Sequence, residues 1–407
     1  MQYIDLYYLW KEAFYKEGAE KEIRELGMQL SHHSFVSEHA DKVLSGSSRL
    51  SCSKHDLVFE NVCASDTETS DVLQIPDAEI HANKFFHYHI IKPVSPQKSK
   101  GVIIFFHGLN EKNWDKYLPW AYGLASRTGK AVLLFPIAFH MDRAPEIWSD
   151  RMQMRDIAEK RAAVHKDNTA CSFVNAAISA RLEEHPQRLF WSGLQTYSDV
   201  ISLINIIKTD KMPVIDKNAS IDLFGYSIGS FLSLILMMSN PDGVFTNSRQ
   251  FCFCGGMTID RMFPISKYIM DARSAISMQE CFATLLSSDF ITDSRLSHYQ
   301  DDTFHYEESW FKTMLRYNYF ENRRHRRFTE LEKQIKAYCL KKDEVAPPIE
   351  ALNTLKGGFR EIGIEVQIED FDFPYSHMVP FPLTKKNAAE VTFAYERFMK
   401  VASDFLR

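Results

Sequence analysis

The chain has no run of eighteen apolar residues, no Cys-x-x-Cys pair, no low-complexity tract and no internal repeat. The first absence argues against a membrane-spanning helix, which needs a longer apolar stretch. A strong excess of one charge is also missing: 48 Lys and Arg against 53 Asp and Glu leave a net charge of −5. Without a basic field to hold phosphates, a nucleic-acid partner is not expected. The one basic cluster, Arg323-Arg324-His325-Arg326-Arg327, is short and reads as a solvated helix face. Cysteine is sparse and unpatterned, seven residues at Cys52, Cys63, Cys171, Cys252, Cys254, Cys281 and Cys339. An odd number with no Cys/His ligand spacing points to reduced thiols and a cytoplasmic protein, with no metal and no organic cofactor. Residues 1–12 carry Asp5 and no long apolar core, so neither a signal peptide nor an anchor is read there.

What is present is an ordinary globular composition, 45% hydrophobic and 25% charged over 407 residues. That length calls for one large domain with insertions, or two domains. Residues 1–45 are expected to form a helical extension. Ile4, Tyr8 and Phe14 recur near helical spacing, and a second helix is expected over about residues 20–30. Ser45-Gly46-Ser47-Ser48 ends it. Short strands then begin, over residues 56–63 and 84–92. Residues 101–106 and 131–138 are continuous apolar runs, the mark of strands buried on both faces of a parallel sheet.

Helices alternate with these strands, so the fold class is α/β, a mostly parallel central sheet flanked by helices. The core is expected over residues 46–255 and 329–407. A helical stretch is inserted at about 140–190, and an aromatic-rich helical cap spans residues 256–328. A segment that long, leaving the carboxyl edge of a sheet, is expected to lie over the mouth of any site there. Residues 388–406 close the chain as an amphipathic helix.

The stretch that organises the chain is Ile221-Asp222-Leu223-Phe224-Gly225-Tyr226-Ser227-Ile228-Gly229, followed by the apolar Phe231-Leu232 and onward. It reads as strand, sharp turn and helix with Ser227 at the bend, and the two glycines suit a turn too crowded for side chains. A serine hydroxyl is a poor nucleophile until a hydrogen-bonded base, oriented by a carboxylate, activates it. His377, in a loop after the last strand, and Asp343, at the end of the preceding strand, lie where Ser227 would emerge. Asp260, past the Gly255-Gly256 strand end, is an alternative acid. His140, Asp142, Arg143 and Arg151 follow the second buried strand and could line a pocket or meet an acidic substrate group, although surface solvation is the plainer reading. His107 reads as structural.

Together these residues resemble the α/β-hydrolase superfamily over about residues 55–407. The resemblance rests on His107-Gly108 after a buried strand, on Gly225-Tyr226-Ser227-Ile228-Gly229, on Asp343-Glu344-Val345-Ala346-Pro347, and on His377 before Met378-Val379-Pro380. It implies Ser227 as nucleophile, His377 as base, Asp343 as acid, and the backbone N–H groups of Leu109 and Ile228 as an oxyanion hole. The chain departs from many members in lacking a further glycine after Gly108 and a glycine directly before His377. The expected activity is hydrolysis of a small-molecule carboxylic ester with an apolar group, through an acyl-enzyme. An acyltransferase or peptidase on the same residues, or a non-catalytic binding protein of this fold, is the alternative.

Overall fold

The computed structural model describes residues 1–60 and 73–407. Nine strands form one sheet: β1 (Glu20–Ile23), β2 (Met28–Val36), β3 (Phe85–Pro93), β4 (Ser99–Phe106), β5 (Ala131–Leu134), β6 (Ile215–Tyr226), β7 (Gln250–Phe253), β8 (Ile335–Leu340) and β9 (Glu365–Glu369). Their spatial order is β1-β2-β3-β5-β4-β6-β7-β8-β9. Pairing is antiparallel from β1 through β3 to β5 and parallel from β5 to β9. The architecture is therefore α/β with a mostly parallel sheet flanked by helices, as the apolar runs lead one to expect.

The longer helices are α1 (Tyr3–Tyr15), α2 (Leu118–Thr128), α3 (Arg151–Val164), α4 (Ala176–Glu184), α5 (Arg188–Lys208), α6 (Ile228–Ser239), α7 (Ala272–Thr284), α8 (Glu321–Glu330), α9 (Pro348–Lys356) and α10 (Ala388–Leu406). Two cores cover the two faces of the sheet. Val102, Ile104, Leu223 and Cys252 face one core, with Leu203 and Ile204 of α5 and Ile235 of α6. Ile103, Phe105, Phe224 and Phe251 face the other, with Trp10 of α1, Trp120 of α2 and Phe398 of α10. Phe105, Phe224 and Phe251 are register partners on three adjacent strands, and their rings stack at 4.5 and 5.7 Å. Such cross-strand aromatic pairs pin register as well as burying area.

The amino-terminal expectation needs correcting. α1 forms, but residues 20–30 make no α-helix: β1 and β2 form a hairpin, joined by the single 3-10 turn Arg24–Leu26 and Gly27 at φ +61°. The charged residues Glu20, Lys21 and Glu22 suit an exposed edge strand as well as a helix surface. Nine residues of ladder between β2 and β3 decide between them. The strand expected over residues 56–63 shrinks to Leu57–Val58, paired with Ser51–Cys52, and residues 61–63 lie outside the described residues.

The basic cluster on α8 is also more than a solvated face. Arg324 is fully buried and donates to the carbonyls of Thr313 (2.6 Å) and Tyr319 (3.1 Å). Arg327 donates to Met238 O at 2.9 Å, satisfying a terminal carbonyl of α6. Among the described residues, no helix is long and apolar enough to cross a membrane.

Candidate active site

β6 ends at Tyr226 and α6 begins at Ile228, so the whole change of direction falls on Ser227, held at φ 56°, ψ −121°. That conformation is costly for a side-chain-bearing residue and persists only where its surroundings enforce it. Here Ser227 N–H donates to Phe253 O at 3.0 Å, and Ser230 N–H donates to Ser227 O at 2.9 Å. A Cβ on Gly225 would lie 2.5 Å from Ser230 N, and one on Gly229 would lie 2.6 Å from Phe106 O. Both positions therefore need hydrogen as the side chain, and the result is a sharp strand–turn–helix elbow with Ser227 at its bend.

The structure brings three dispersed residues together. His377 Nε2 lies 2.9 Å from Ser227 Oγ, and His377 Nδ1 lies 2.8 Å from Asp343 Oδ2. All three side chains are buried. Asp343 follows β8, and its Oδ1 accepts the N–H groups of Val345 (3.0 Å) and Ala346 (2.9 Å), which leaves Oδ2 for the imidazole. Because an ionised carboxylate only accepts, the ring proton belongs on Nδ1, and Nε2 is left to accept from the serine hydroxyl.

Two residues that sequence reasoning passed over hold the His377 loop. Tyr226 donates its hydroxyl to His377 O, and the two rings stack at 5.3 Å. Burial, with the charges of Cys254, Glu111 and Asp343, drives the Tyr226 phenol well above its ordinary value, so it remains a donor. Lys116 donates to Met378 O at 3.2 Å, pairs with Glu111, and sits over the Tyr226 ring at 4.8 Å. Nothing in the sequence marks them, because Tyr226 occupies a free position of the pentapeptide.

Leu109 and Ile228 line one cavity with Ser227. Ile228 is the first residue of α6, so its N–H has no acceptor within the helix. The Leu109 loop is fixed by Asn110, at φ 57°, whose side-chain amide donates to Val174 O (3.1 Å) and Tyr268 O (2.7 Å). The remaining lining is mostly apolar, from Ile259, Met262, Ile269 and Met278 of the cap and Val345 of the core, with Gln279 as its polar member. The apolar cap residues here carry no aromatic rings. The aromatic rings of the cap that raised the sequence expectation pack elsewhere, as Phe311 does against Phe190 at 5.6 Å.

A second cavity shares Leu109 with the first and is lined by Asn110, Lys112, His140, Trp148 and Ser192 among others. His140 donates Nδ1–H to Ala138 O at 2.8 Å, while its Nε2 is buried with no partner among the described residues. Burial lowers this imidazole to about 4, so it is neutral at pH 7. Lys112 is partly exposed by area, yet its crowded surroundings push the ammonium down to about 8.

The other candidates are used elsewhere. The Asp260 carboxylate accepts from Thr258 Oγ1 (2.7 Å) and Tyr317 N (3.1 Å) and makes no hydrogen bond to His377. His107 is fully buried, accepting Ile137 N–H on Nε2 and donating Nδ1–H to Gly108 O. Asp142 accepts from Trp114 Nε1 and lies 3.1 Å from His89 Nε2. Arg143 is wholly buried and pairs with Asp199 at 2.8 Å. Arg151 is exposed and lies over the Phe173 ring.

A family model described as "Family of unknown function (DUF6051)" matches residues 1–407. No curated protein matches the sequence. Among solved structures, the esterase Est22 is similar at 11% identity and a TM-score of 0.45, covering 95% of this chain and 84% of that one. Carboxyl esterase 2 from the fungus Tuber melanosporum is similar at 12% identity and 0.42, covering 80% and 82%. A thermostable esterase from Pseudomonas putida is similar at 10% identity and 0.39, covering 80% of each chain.

Proposed function

The chain belongs to the DUF6051 family, whose function is unknown, and we propose that it is a serine hydrolase that cleaves carboxylic esters through an acyl-enzyme. The observation that carries this is the relay Ser227 Oγ–His377 Nε2–Asp343 Oδ2, at 2.9 and 2.8 Å, built on a strained elbow facing a cavity. Ser227 Oγ attacks the ester carbonyl carbon and His377 Nε2 takes the hydroxyl proton. The carbonyl π electrons move to oxygen, where the N–H groups of Leu109 and Ile228 receive the charge. Such a donor typically contributes about 3 kcal/mol to the transition state. Collapse expels the alkoxide, protonated by His377, and leaves the acyl group on Ser227. Water, deprotonated by His377, then releases the acid. Asp343 stays ionised throughout and holds the ring in the Nδ1–H tautomer. No step calls for a metal or an organic cofactor.

A fluorophosphonate probe should label intact protein at Ser227, with the adduct located by peptide mass, and Ser227→Ala should take no label. Wild-type protein that stays unlabelled while folded would favour a non-catalytic binding protein of the same fold.

Tyr226 acts through His377 and is a positioning residue. Tyr226→Phe keeps the ring stack and removes the hydroxyl bond to His377 O. A lost hydrogen bond of ordinary strength corresponds to roughly tenfold in rate. The expected result is a tenfold fall in kcat with KM nearly unchanged; a change in KM alone would place Tyr226 in substrate binding instead.

The two cavities that meet at Leu109 suggest a substrate with unlike ends. The mostly apolar cavity suits an apolar acyl group, and the second offers the Lys112 ammonium. An ester carrying a carboxylate on its alcohol side should therefore be preferred over its neutral analogue. Since Lys112 loses its proton near pH 8, the KM for the anionic ester should climb as pH rises through 8, while that for the neutral ester stays flat. Lys112→Met should erase the difference; equal KM values for both esters at pH 7 would dismiss this preference.

A further inference from the structure

The sequence shows no Cys/His ligand spacing, yet the fold assembles such a ligand set outside the cavity of Ser227. Cys52 and His55 sit on the small ribbon formed by Ser51–Cys52 and Leu57–Val58. His298 lies on the short helix Ser294–Gln300 of the cap, and His305 lies in the loop after it. One donor atom from each of the four comes within 4.8 Å of all the others. Cys52 Sγ is 3.2 Å from His305 Nε2 and 3.4 Å from His55 Nδ1, and His305 Nε2 is 2.9 Å from His298 Nε2. We propose that Cys52, His55, His298 and His305 form a structural zinc site that fastens the cap to the ribbon.

Three features of the cluster support this. First, the size is right. A tetrahedron with Zn–N near 2.0–2.1 Å and Zn–S near 2.3 Å has edges of roughly 3.3–3.7 Å, so the three close pairs need shifts of a few tenths of an ångström, and the widest, within 4.8 Å, must close by about an ångström. Second, hydrogen bonding alone leaves the cluster poorly satisfied. His305 Nε2 faces both Cys52 Sγ and His298 Nε2, but it carries at most one proton and can donate to only one of them. A cation at the centre satisfies every inward lone pair at once. Third, the outer partners are in place. His305 Nδ1 lies 3.0 Å from Glu308 Oε2, an ion-pair distance with a bent approach, and Glu308 Oε1 accepts from Lys54 Nζ at 2.8 Å. A carboxylate on the far nitrogen puts the proton there and turns Nε2 inward as a ligand.

The ligand types select the ion. One thiolate and three imidazoles in four-coordinate array suit zinc, whereas magnesium and calcium require oxygen. Four protein ligands leave no open position, so the role is structural rather than catalytic. The ribbon shows what the ion would do, since strands of two residues do not hold themselves together. Its attachments to the cap include the ligand cluster, the Lys54 pairs with Glu307 and Glu308, and a 3.3 Å bond from Tyr299 Oη to Ser51 O. Rings of Phe59, Tyr299 and Phe304 pack against the histidines. None of the four ligands lines the Ser227 cavity, so the proposal is independent of the hydrolase reading.

The test is metal analysis of the full-length protein, purified without chelator and dialysed against zinc. About one zinc per chain is expected, and cobalt replacement should give the visible bands of a tetrahedral ion with a near-ultraviolet thiolate-to-cobalt transition. Cys52→Ser combined with His298→Ala should reduce the stoichiometry to near zero, while Cys171→Ala keeps it at one. Should the double variant fail to fold, the wild-type protein gives the answer. Stripping the metal should lower the melting temperature by several degrees, and zinc, but not magnesium, should restore it. Only trace zinc after dialysis, a cobalt spectrum without the thiolate transition, or full zinc retention in the double variant would overturn the assignment.

Discussion

Ser227→Ala is expected to lower kcat for a chromogenic ester by on the order of 10⁴- to 10⁶-fold, and His377→Ala by a similar factor. Because serine and histidine act as one unit, the double variant should be scarcely worse than either single one. Asp343→Asn should also cost heavily. An amide at that position can donate to Nδ1, which shifts the ring proton onto Nε2 and leaves no acceptor for the serine hydroxyl. Ser227→Ala should retain the wild-type circular dichroism and melting temperature within a few degrees, because the elbow is fixed by backbone bonds and by Gly225 and Gly229 rather than by Oγ. Folded variants that still turn over ester at wild-type rates would end the serine mechanism, whatever the distances around His377.

The largest effect on stability is expected at Arg143. Its guanidinium and the Asp199 carboxylate have no solvent exposure and meet at 2.8 Å. Burial raises Asp199 and lowers Arg143 from their ordinary values, and each keeps the other charged. Arg143 also donates to Asn83 Oδ1 and O and stacks over Phe86 at 4.1 Å, while Asp199 accepts from Ser37 Oγ at 2.7 Å. Truncation to Arg143→Ala strands a carboxylate in the interior and should cost about 3–5 kcal/mol in denaturant unfolding. Arg143→Met with Asp199→Leu should recover much of that loss, because replacing both charges removes the desolvation penalty together with the attraction. A double variant as unstable as the sum of its singles would show that shape, not charge pairing, dominates at this position.

Most of the sheet was legible in the sequence because its strands are doubly buried. Residues 101–106 and 219–226 carry apolar side chains on both faces, a pattern that surface helices do not share. The elbow was legible because sterics allow few residues there. The hairpin of β1 and β2 was not, since its pairing with β3 is a long-range event and Ser31, His32, His33 and Ser34 carry no strand alternation. The buried Ser31 instead hydrogen-bonds the His33 ring at 2.8 Å, and His32 meets His89 at 2.7 Å. The approach of His377 and Asp343 to Ser227 followed from their places at successive strand ends. The supports of Tyr226 and Lys116 did not, because both act on backbone carbonyls that any residue could supply. The Cys52, His55, His298 and His305 cluster escaped for a related reason. Its two halves are separated by most of the chain, and only the docking of the cap makes them neighbours.

Asn110 has a consequence for the order in which the molecule is completed. The loop that carries the Leu109 N–H takes its shape from two carbonyls, Val174 O in the inserted stretch and Tyr268 O in the cap, and neither belongs to the sheet. A folding chain that has formed its strands, with the serine already raised on its elbow, still lacks a shaped anion pocket until both peripheral segments have docked. During synthesis the Leu109 loop stays unshaped until Tyr268 has been made.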